Sequence, residues 1–233
     1  MRNYNSQGEN HNEKYIFRPN VRVSYNINDN AYIRYNGYIS GYSPSLSDLN
    51  NVEQDIDSLQ IRKGNPNLKT VWYYTHTLTG GYNKGIFGAE FFMRYSYAHK
   101  PIMEQVTFEE GKFVRTNINQ KGFHRLNTEA TFKLKPFGEY LTLSVTPGFN
   151  RYISYGEEFT HTYSSWRVRG SAVFNYKKWS LSGDVYTRWN NFWGETMERG
   201  ERLHIVSVGY SDESRLLGLE KVKWSLTGGM FNP

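Results

Sequence analysis

Apolar and polar residues alternate with period two along most of the chain, the pattern of strands with two different faces. In Tyr140 to Asn150, Leu141, Leu143, Val145, Pro147 and Phe149 share one face, with Thr142, Ser144, Thr146, Gly148 and Asn150 on the other. Trp166 to Tyr176 sets Trp166, Val168, Ala172, Phe174 and Tyr176 against Arg167, Arg169, Ser171 and Asn175, with Val173 out of phase. Trp179 to Trp189 sets Trp179, Leu181, Val185 and Trp189 against Ser180, Ser182, Asp184 and Arg188. Looser alternation runs from Tyr15 to Tyr25, Ala31 to Ser40, Trp72 to Thr79, Phe87 to Ser96, Arg125 to Leu134, Val206 to Tyr210 and Val222 to Thr227. That makes roughly ten strands, the clearest of them long enough (~9–11 residues) to cross a bilayer. No stretch has helical period.

The connections alternate in length. Short turns are expected at Ile27-Asn28-Asp29, Asn83-Lys84-Gly85, Pro136-Phe137-Gly138 and Tyr176-Lys177-Lys178. Asn, Asp and Gly in the first three tolerate the positive φ of tight hairpins. Long connections are expected at Gly41 to Asn67, Tyr97 to Gly122, Ser154 to His161 and Phe192 to Glu201. Asp212 to Glu220 falls where a short turn belongs and is longer than expected. Short turns at one end and long loops at the other is the asymmetry of outer-membrane barrels.

Composition sharpens the choice. Mean hydropathy is −0.71, yet 19 Tyr, 14 Phe and 6 Trp make 17% of the 233 residues aromatic. A polar average with so many rings suits a wall in which only alternate residues meet lipid and aromatics collect at both interfaces. A soluble sandwich also alternates, but its strands usually run ~5–6 residues. The net charge is +6, but Lys and Arg are scattered singly along the strands, so no nucleic-acid arm is present. With no cysteine, disulfides, zinc-thiolate sites and thiol nucleophiles are excluded. No apolar run approaches the ~18 residues of a membrane helix. Met1 to Asn10 lacks the regions of a signal peptide. Residues 1–13 read as a polar leader or loop and 14–233 as a barrel segment.

The polar phase carries Arg18, Arg22, Arg34, Glu90, Arg94, Arg125, Glu129, Lys133, Arg167, Arg169, Asp184 and Arg188. These are the candidate lumen-facing charges. A Lys or Arg held at mid-bilayer on the lipid side would cost ~2–4 kcal/mol. Trp72, Trp166, Tyr176, Trp179, Trp189 and Trp224 mark strand ends and are the candidate interface aromatics. Tyr42, Tyr97, Phe108, Phe113, Phe192 and Trp193 sit in expected loops, where they stack on a ligand or pack the loops. Glu109-Glu110 and Glu157-Glu158 read as solvated loop charge, because neighbours on a strand point apart. His161 with Ser164 lacks an acidic orienter and an oxyanion hole. His11, His124 and His204 lack metal-ligand spacing. Nothing calls for a cofactor.

The segment Arg62-Lys63-Gly64-Asn65-Pro66-Asn67-Leu68-Lys69 resembles the Gly-Asn-Pro-x-Leu-Lys stretch that opens a barrel strand after an outer loop in TonB-dependent receptors. Thr70-Val71 stands where that pattern usually continues Pro-Glu. Long Tyr-rich strands and Asn-rich loops are similar to receptors of the Bacteroidota. Met230-Phe231-Asn232-Pro233 resembles a piece from late in such barrels. The resemblance implies an all-β, antiparallel transmembrane β-barrel portion, from the carboxy-terminal part of a receptor barrel and lacking the plug. It implies nutrient import (siderophore, glycan or similar) in the outer membrane and no catalysis. The implied partners are outer-membrane lipid, a plug domain and further strands, the TonB complex acting through that plug, and an imported ligand. A complete small porin and a secreted carbohydrate-binding β-sandwich are the alternatives.

Overall fold

The computed structural model describes the backbone of residues 2–5, 8–11, 17–156, 159–194, 196–216 and 219–232, and the side chains of 17–156, 159–194, 196–212, 223 and 225–232. Tyr15, Glu157, Glu158 and the side chain of Trp224 lie outside the described residues.

Ten strands form one sheet: β1 Asn20–Asn28, β2 Ala31–Tyr42, β3 Val71–Lys84, β4 Phe87–His99, β5 Gly122–Leu134, β6 Leu141–Tyr155, β7 Thr160–Tyr176, β8 Trp179–Tyr186, β9 Leu203–Leu216 and β10 Leu219–Asn232. Each pairs antiparallel with its neighbour in sequence, from β1 at one edge to β10 at the other. The two edges do not pair with each other among the described residues, so the sheet is an arc. Strand β1 starts at Asn20, later than the alternation from Tyr15 suggests. Pro19 has no N–H to donate to the ladder, although its carbonyl accepts from Ile39 N at 3.1 Å. In the polar leader, Arg2–Asn5 pairs with Gly8–His11 as a separate ribbon.

Register propagates the two phases without a slip from β2 to β8. Tyr35 opposes Leu78, Leu78 opposes Met93, Met93 opposes Thr128, Thr128 opposes Phe149, and Phe149 opposes Trp166. That row lies on the apolar face. Arg34, Thr77, Arg94, Asn127, Asn150 and Ser165 lie in the opposite phase, so every polar set shares one side.

The apolar face is uncovered. Trp166 (70% exposed), Tyr176 (51%), Trp179 (56%), Phe91, Phe132, Leu143, Val145, Val168 and Leu181 are all exposed. Strand β7 shows the reason. Its outward side reads Thr160, Thr162 and Ser164, then Trp166, Val168, Gly170, Ala172, Phe174 and Tyr176. From Trp166 to Tyr176 is about 33 Å along a strand at ~3.3 Å per residue, or about 23 Å in height at ~45° tilt. An outer-membrane barrel needs an apolar band of about that height between two aromatic rows. Ring pairs stand at both levels: Phe149 with Trp166 near the loop end, and Tyr82 with Phe87 and Trp179 with Tyr210 near the turns.

The turns and loops segregate. At one end β1–β2, β3–β4, β5–β6 and β7–β8 join through two to six residues. The Asp212 to Glu220 connection joins this group, because β9 and β10 run through to Leu216 and Leu219. At the other end the loops carry structure of their own. They hold one helical turn, Leu46–Leu49, a hairpin Ile102–Glu109 with Lys112–Asn119, and short strands Gln54–Asp55, Gln60–Lys63, Asn191–Trp193 and Thr196–Glu198. Gln60–Lys63 pairs parallel with the hairpin strand Lys112–Asn119, which ties the first long loop to the second.

The buried core is therefore not at mid-sheet. Val71, Ala98, Met103, Phe123 and Tyr152 form it, with Tyr73, Ile102, Tyr163 and Phe192 against it. It sits where the loops fold onto the polar face. A direct check is Phe91→Arg, which puts a guanidinium at mid-band on the apolar face. In the membrane-inserted protein it should cost about 2–4 kcal/mol in a urea unfolding titration, against under about 1.5 kcal/mol for Phe91→Leu. Equal costs would contradict a lipid-facing Phe91.

Candidate functional site on the polar face

Three ion pairs cross between strands on the polar face, two of them between neighbours and the Arg167 pair over Gly148 of the intervening β6. They are Lys133 with Glu90 (3.2 Å), Arg167 with Glu129 (3.3 Å) and Arg169 with Asp184 (2.8 Å). Each is partly exposed, so each contributes roughly 0.2–1 kcal/mol. The three carboxylates are thus matched by β5 and β7 cations. Toward β1–β5 the face carries Arg22, Arg34, Arg94 and Arg125, with no carboxylate paired to any of them among the described residues. Arg34 lies over the Tyr32 ring (4.3 Å), Arg125 over Tyr152 (5.5 Å), and Arg94 donates to Thr77 Oγ1 (3.4 Å). Arg18, just before β1, donates to the Gly41 carbonyl. Arg188 follows β8 and is exposed. This half of the face is positive.

A cavity of about 300 Å³ opens here, below the loops. Arg94 and Arg125 line it with Tyr38, Tyr73, Phe123 and Trp193, while Ser40, Thr75, Ser96 and Asn127 supply hydroxyls and an amide. Trp193 reaches it from the loop after β8 and packs on Phe123 (4.6 Å). Two guanidiniums among four rings suit an anionic solute that carries a flat or apolar body. Tyr38, Tyr73 and Phe123 are not among the residues that alternation singles out. Their signal is a break in it: apolar residues in the polar phase, all near the loop end of their strands.

The loop aromatics divide. Phe192 packs against the core, on Tyr152 (6.2 Å) and beside Tyr163 (5.8 Å). Phe108 and Phe113 face each other at 5.1 Å on the exposed end of the loop hairpin. Tyr42 is exposed at the end of β2. Tyr97 is not in a loop: β4 continues to His99, so Tyr97 points outward and meets Tyr74 (6.0 Å) and His124 (4.6 Å).

Among the interface aromatics, Trp72, Trp166, Tyr176 and Trp179 occupy outward positions in their strands. Trp189 does not. Strand β8 ends at Tyr186, after which Thr187 bonds Val168 irregularly and the chain turns onto the polar face. The Arg167 guanidinium then lies 3.7 Å from the Trp189 ring centre. Gly148 makes room: a Cβ there would stand 2.8 Å and 2.9 Å from two atoms of the indole. His161 and Ser164 project from opposite faces of β7, so the chain does not bring them together.

The Gly64-Asn65-Pro66-Asn67-Leu68 stretch fastens the loops. Gly64 lies against the backbone of Asn50, where any side chain would collide. Asn65 N donates to Asp48 O (2.6 Å), Asn65 Oδ1 accepts from Asn67 N (3.0 Å), and Asn65 Nδ2 reaches Asn117 O (3.1 Å) on the hairpin. Asn119 then grips Lys69 through both backbone groups. Leu68 and Val71 bury beneath. Asp48 is the hub. Its carboxylate caps Leu46–Leu49 with Ser45 and accepts from Asn117 Nδ2 (2.9 Å). Partial burial pushes the Asp48 carboxyl up, but the Ser45 and Asn117 hydrogen bonds and the Arg62 charge outweigh it and hold the group below its ordinary range.

The model of the outer membrane protein beta-barrel family matches residues 2–210. No curated protein matches the chain. Among solved structures, the siderophore receptor PirA from Pseudomonas aeruginosa superposes with TM-score 0.61 at 13% identity, over 92% of this chain and 41% of that one. The G324V mutant of the ferric enterobactin receptor PfeA from Pseudomonas aeruginosa superposes with TM-score 0.56 at 12% identity, over 83% and 32%. This chain spans less than half of either. At such identity the likeness is one of fold.

The lowered Asp48 carboxyl makes the loop fastening acid-sensitive. A carboxylate favoured by folding contributes fully above about pH 4 and loses its contribution as the pH falls through the lowered value. Hydrogen–deuterium exchange over residues 44–50 and 62–68, corrected for intrinsic pH dependence, should be slow at pH 7 and faster at pH 3. Asp48→Ala should be fast at both.

Proposed function

The chain belongs to the outer membrane protein beta-barrel family, and from that premise we propose that it forms part of the wall of a TonB-dependent import receptor. It is a transport barrel of the cell outer membrane. The observation that carries the import reading is the cavity between Arg94 and Arg125, beneath loops that are themselves folded into a cap. A general diffusion pore needs a wide wet passage, whereas this face gathers charge, rings and structured loops at one end.

The loop end faces the cell exterior and the short turns face the periplasm, as in barrels of this kind. The polar face is the lumen wall. Its paired half, Glu90, Glu129, Lys133, Arg167, Arg169 and Asp184, is a wet lining. Its positive half draws an anionic nutrient inward. Ring-bearing siderophores and charged glycans both fit that chemistry. The unpaired edges of β1 and β10 support further strands that close the ring, since lipid does not tolerate an open sheet edge. A plug filling that lumen would couple uptake to the TonB complex.

The intact receptor tests this in cells. Uptake of its anionic nutrient should saturate and stop when the proton-motive force is dissipated. Arg94→Gln with Arg125→Gln should raise the half-saturation concentration by about tenfold or more, the loss of one charge-assisted contact or two, with the amount of protein in the membrane unchanged. Uptake that rises linearly with concentration and ignores the proton-motive force would contradict the proposal.

A further inference from the structure

At the loop end of the outward face one residue breaks the rule that strand-borne cations point into the lumen. In β6, Leu141, Leu143, Val145, Pro147 and Phe149 are followed in the same phase by Arg151. It is exposed and forms no ion pair among the described residues. The one other outward Lys or Arg of β1–β8 among the described residues is Lys84, the last residue of β3, at the opposite end beside the short turn.

Its level explains how it is tolerated. Phe149 and Trp166 oppose each other in the loop-end aromatic row, and Arg151 opposes Ser164 one step farther toward the loops. A cation costs ~2–4 kcal/mol at the bilayer midplane but only ~0–1 near the interface. Arg151 therefore stands at the headgroup level of the outer leaflet. The surroundings change character at the same height. Ser164 lies directly across, ~5 Å between Cβ atoms, and His124 is a diagonal neighbour at ~7–8 Å. Leu126 lies directly across on β5, and Thr162 and Tyr155 border the patch on the loop side. His124 keeps its ring upright by sharing a hydrogen bond between Nδ1 and the Tyr95 hydroxyl (2.6 Å), which leaves Nε2 for another partner.

We propose that Arg151, with Ser164 and His124 beside it, binds the phosphate of an outer-leaflet lipid headgroup. The guanidinium fork matches two phosphate oxygens. The hydroxyl and the imidazole donate to the remaining oxygens, and Trp166 and Phe149 below meet the first carbons of the acyl chains. The apolar face supplies the hydrophobic half of the site and Arg151 the charge complement. The site lies on the opposite side of the wall from the cavity and takes no part in uptake. The inference rests on the membrane placement of the outward face.

The test titrates a diphosphorylated glycolipid into the delipidated intact protein in zwitterionic detergent, with native mass spectrometry counting bound lipid. Saturable binding is expected, weakened about tenfold by Arg151→Gln and largely restored by Arg151→Lys. Removing the lipid's phosphates should weaken binding as Arg151→Gln does. Arg34→Gln, on the lumen face, should leave it unchanged. Inorganic phosphate at millimolar concentration should not compete; if it competes as well as the lipid, the ligand is free anion and the proposal falls. Equal binding by wild type and Arg151→Gln overturns it too. The size of the bound detergent belt separates the two premises. A belt around a protein with no phosphate preference refutes this site alone, whereas absence of a belt refutes the membrane placement.

Discussion

A peptide group in hydrocarbon has no water to bond, so every N–H and C=O of a crossing segment must find its partner within the wall. Between β1 and β10 that requirement is met by ladders between sequence neighbours, and only the two outer edges remain to be paired. The antiparallel register is also what keeps the faces distinct. A slip of one residue would move Arg167 and Arg169 to the lipid side and Trp166 and Val168 to the lumen. The cost of that exchange, several cations in lipid at once, fixes the register far more strongly than the cross-strand ion pairs do. Exposure of Trp166, Tyr176 and Trp179 is a consequence of the same design rather than a defect in packing.

A wall that leaves both faces uncovered has little core of its own. The chain places its densest packing at the loop end, where Val71, Ala98, Phe123 and Tyr152 interrupt the polar phase and the loops fold onto them. The Gly64-to-Leu68 fastening, the Asp48 hub and the parallel pairing of Gln60–Lys63 hold those loops in one arrangement. A preformed cap of this kind keeps Trp193 over the cavity, which lowers the ordering cost of capturing a ligand.

Most of the wall was legible in the sequence, because period two is imposed locally by the pleat and globally by lipid. Strand number, the two faces, and the ends bearing turns and loops all follow from it. The errors lie where a second influence acts. Tyr97 reads as loop because aromatic and polar residues stop alternating there, yet β4 continues to His99 under the loop hairpin. Trp189 reads as an interface ring because parity extends past Tyr186, but Gly148 offers it a seat against Arg167 on the other face. The cavity's Tyr38, Tyr73 and Phe123 were invisible to a search for charges in the polar phase. Which loop meets which wall position is a long-range matter that no local pattern encodes, apart from the Asn- and Gly-rich stretch before β3.

The account turns on the two faces of a single strand, and β7 is the longest. Because the chain has no cysteine, single nitroxide-labelled cysteines can be placed from residue 166 to 176 of the bilayer-inserted protein. Their collision rates with oxygen and with a water-soluble nickel chelate then report lipid or water. Oxygen access should dominate at 168, 170, 172 and 174 and nickel access at 167, 169, 171 and 175. Uniform nickel access along the strand, or no alternation, would contradict a wall between lipid and lumen.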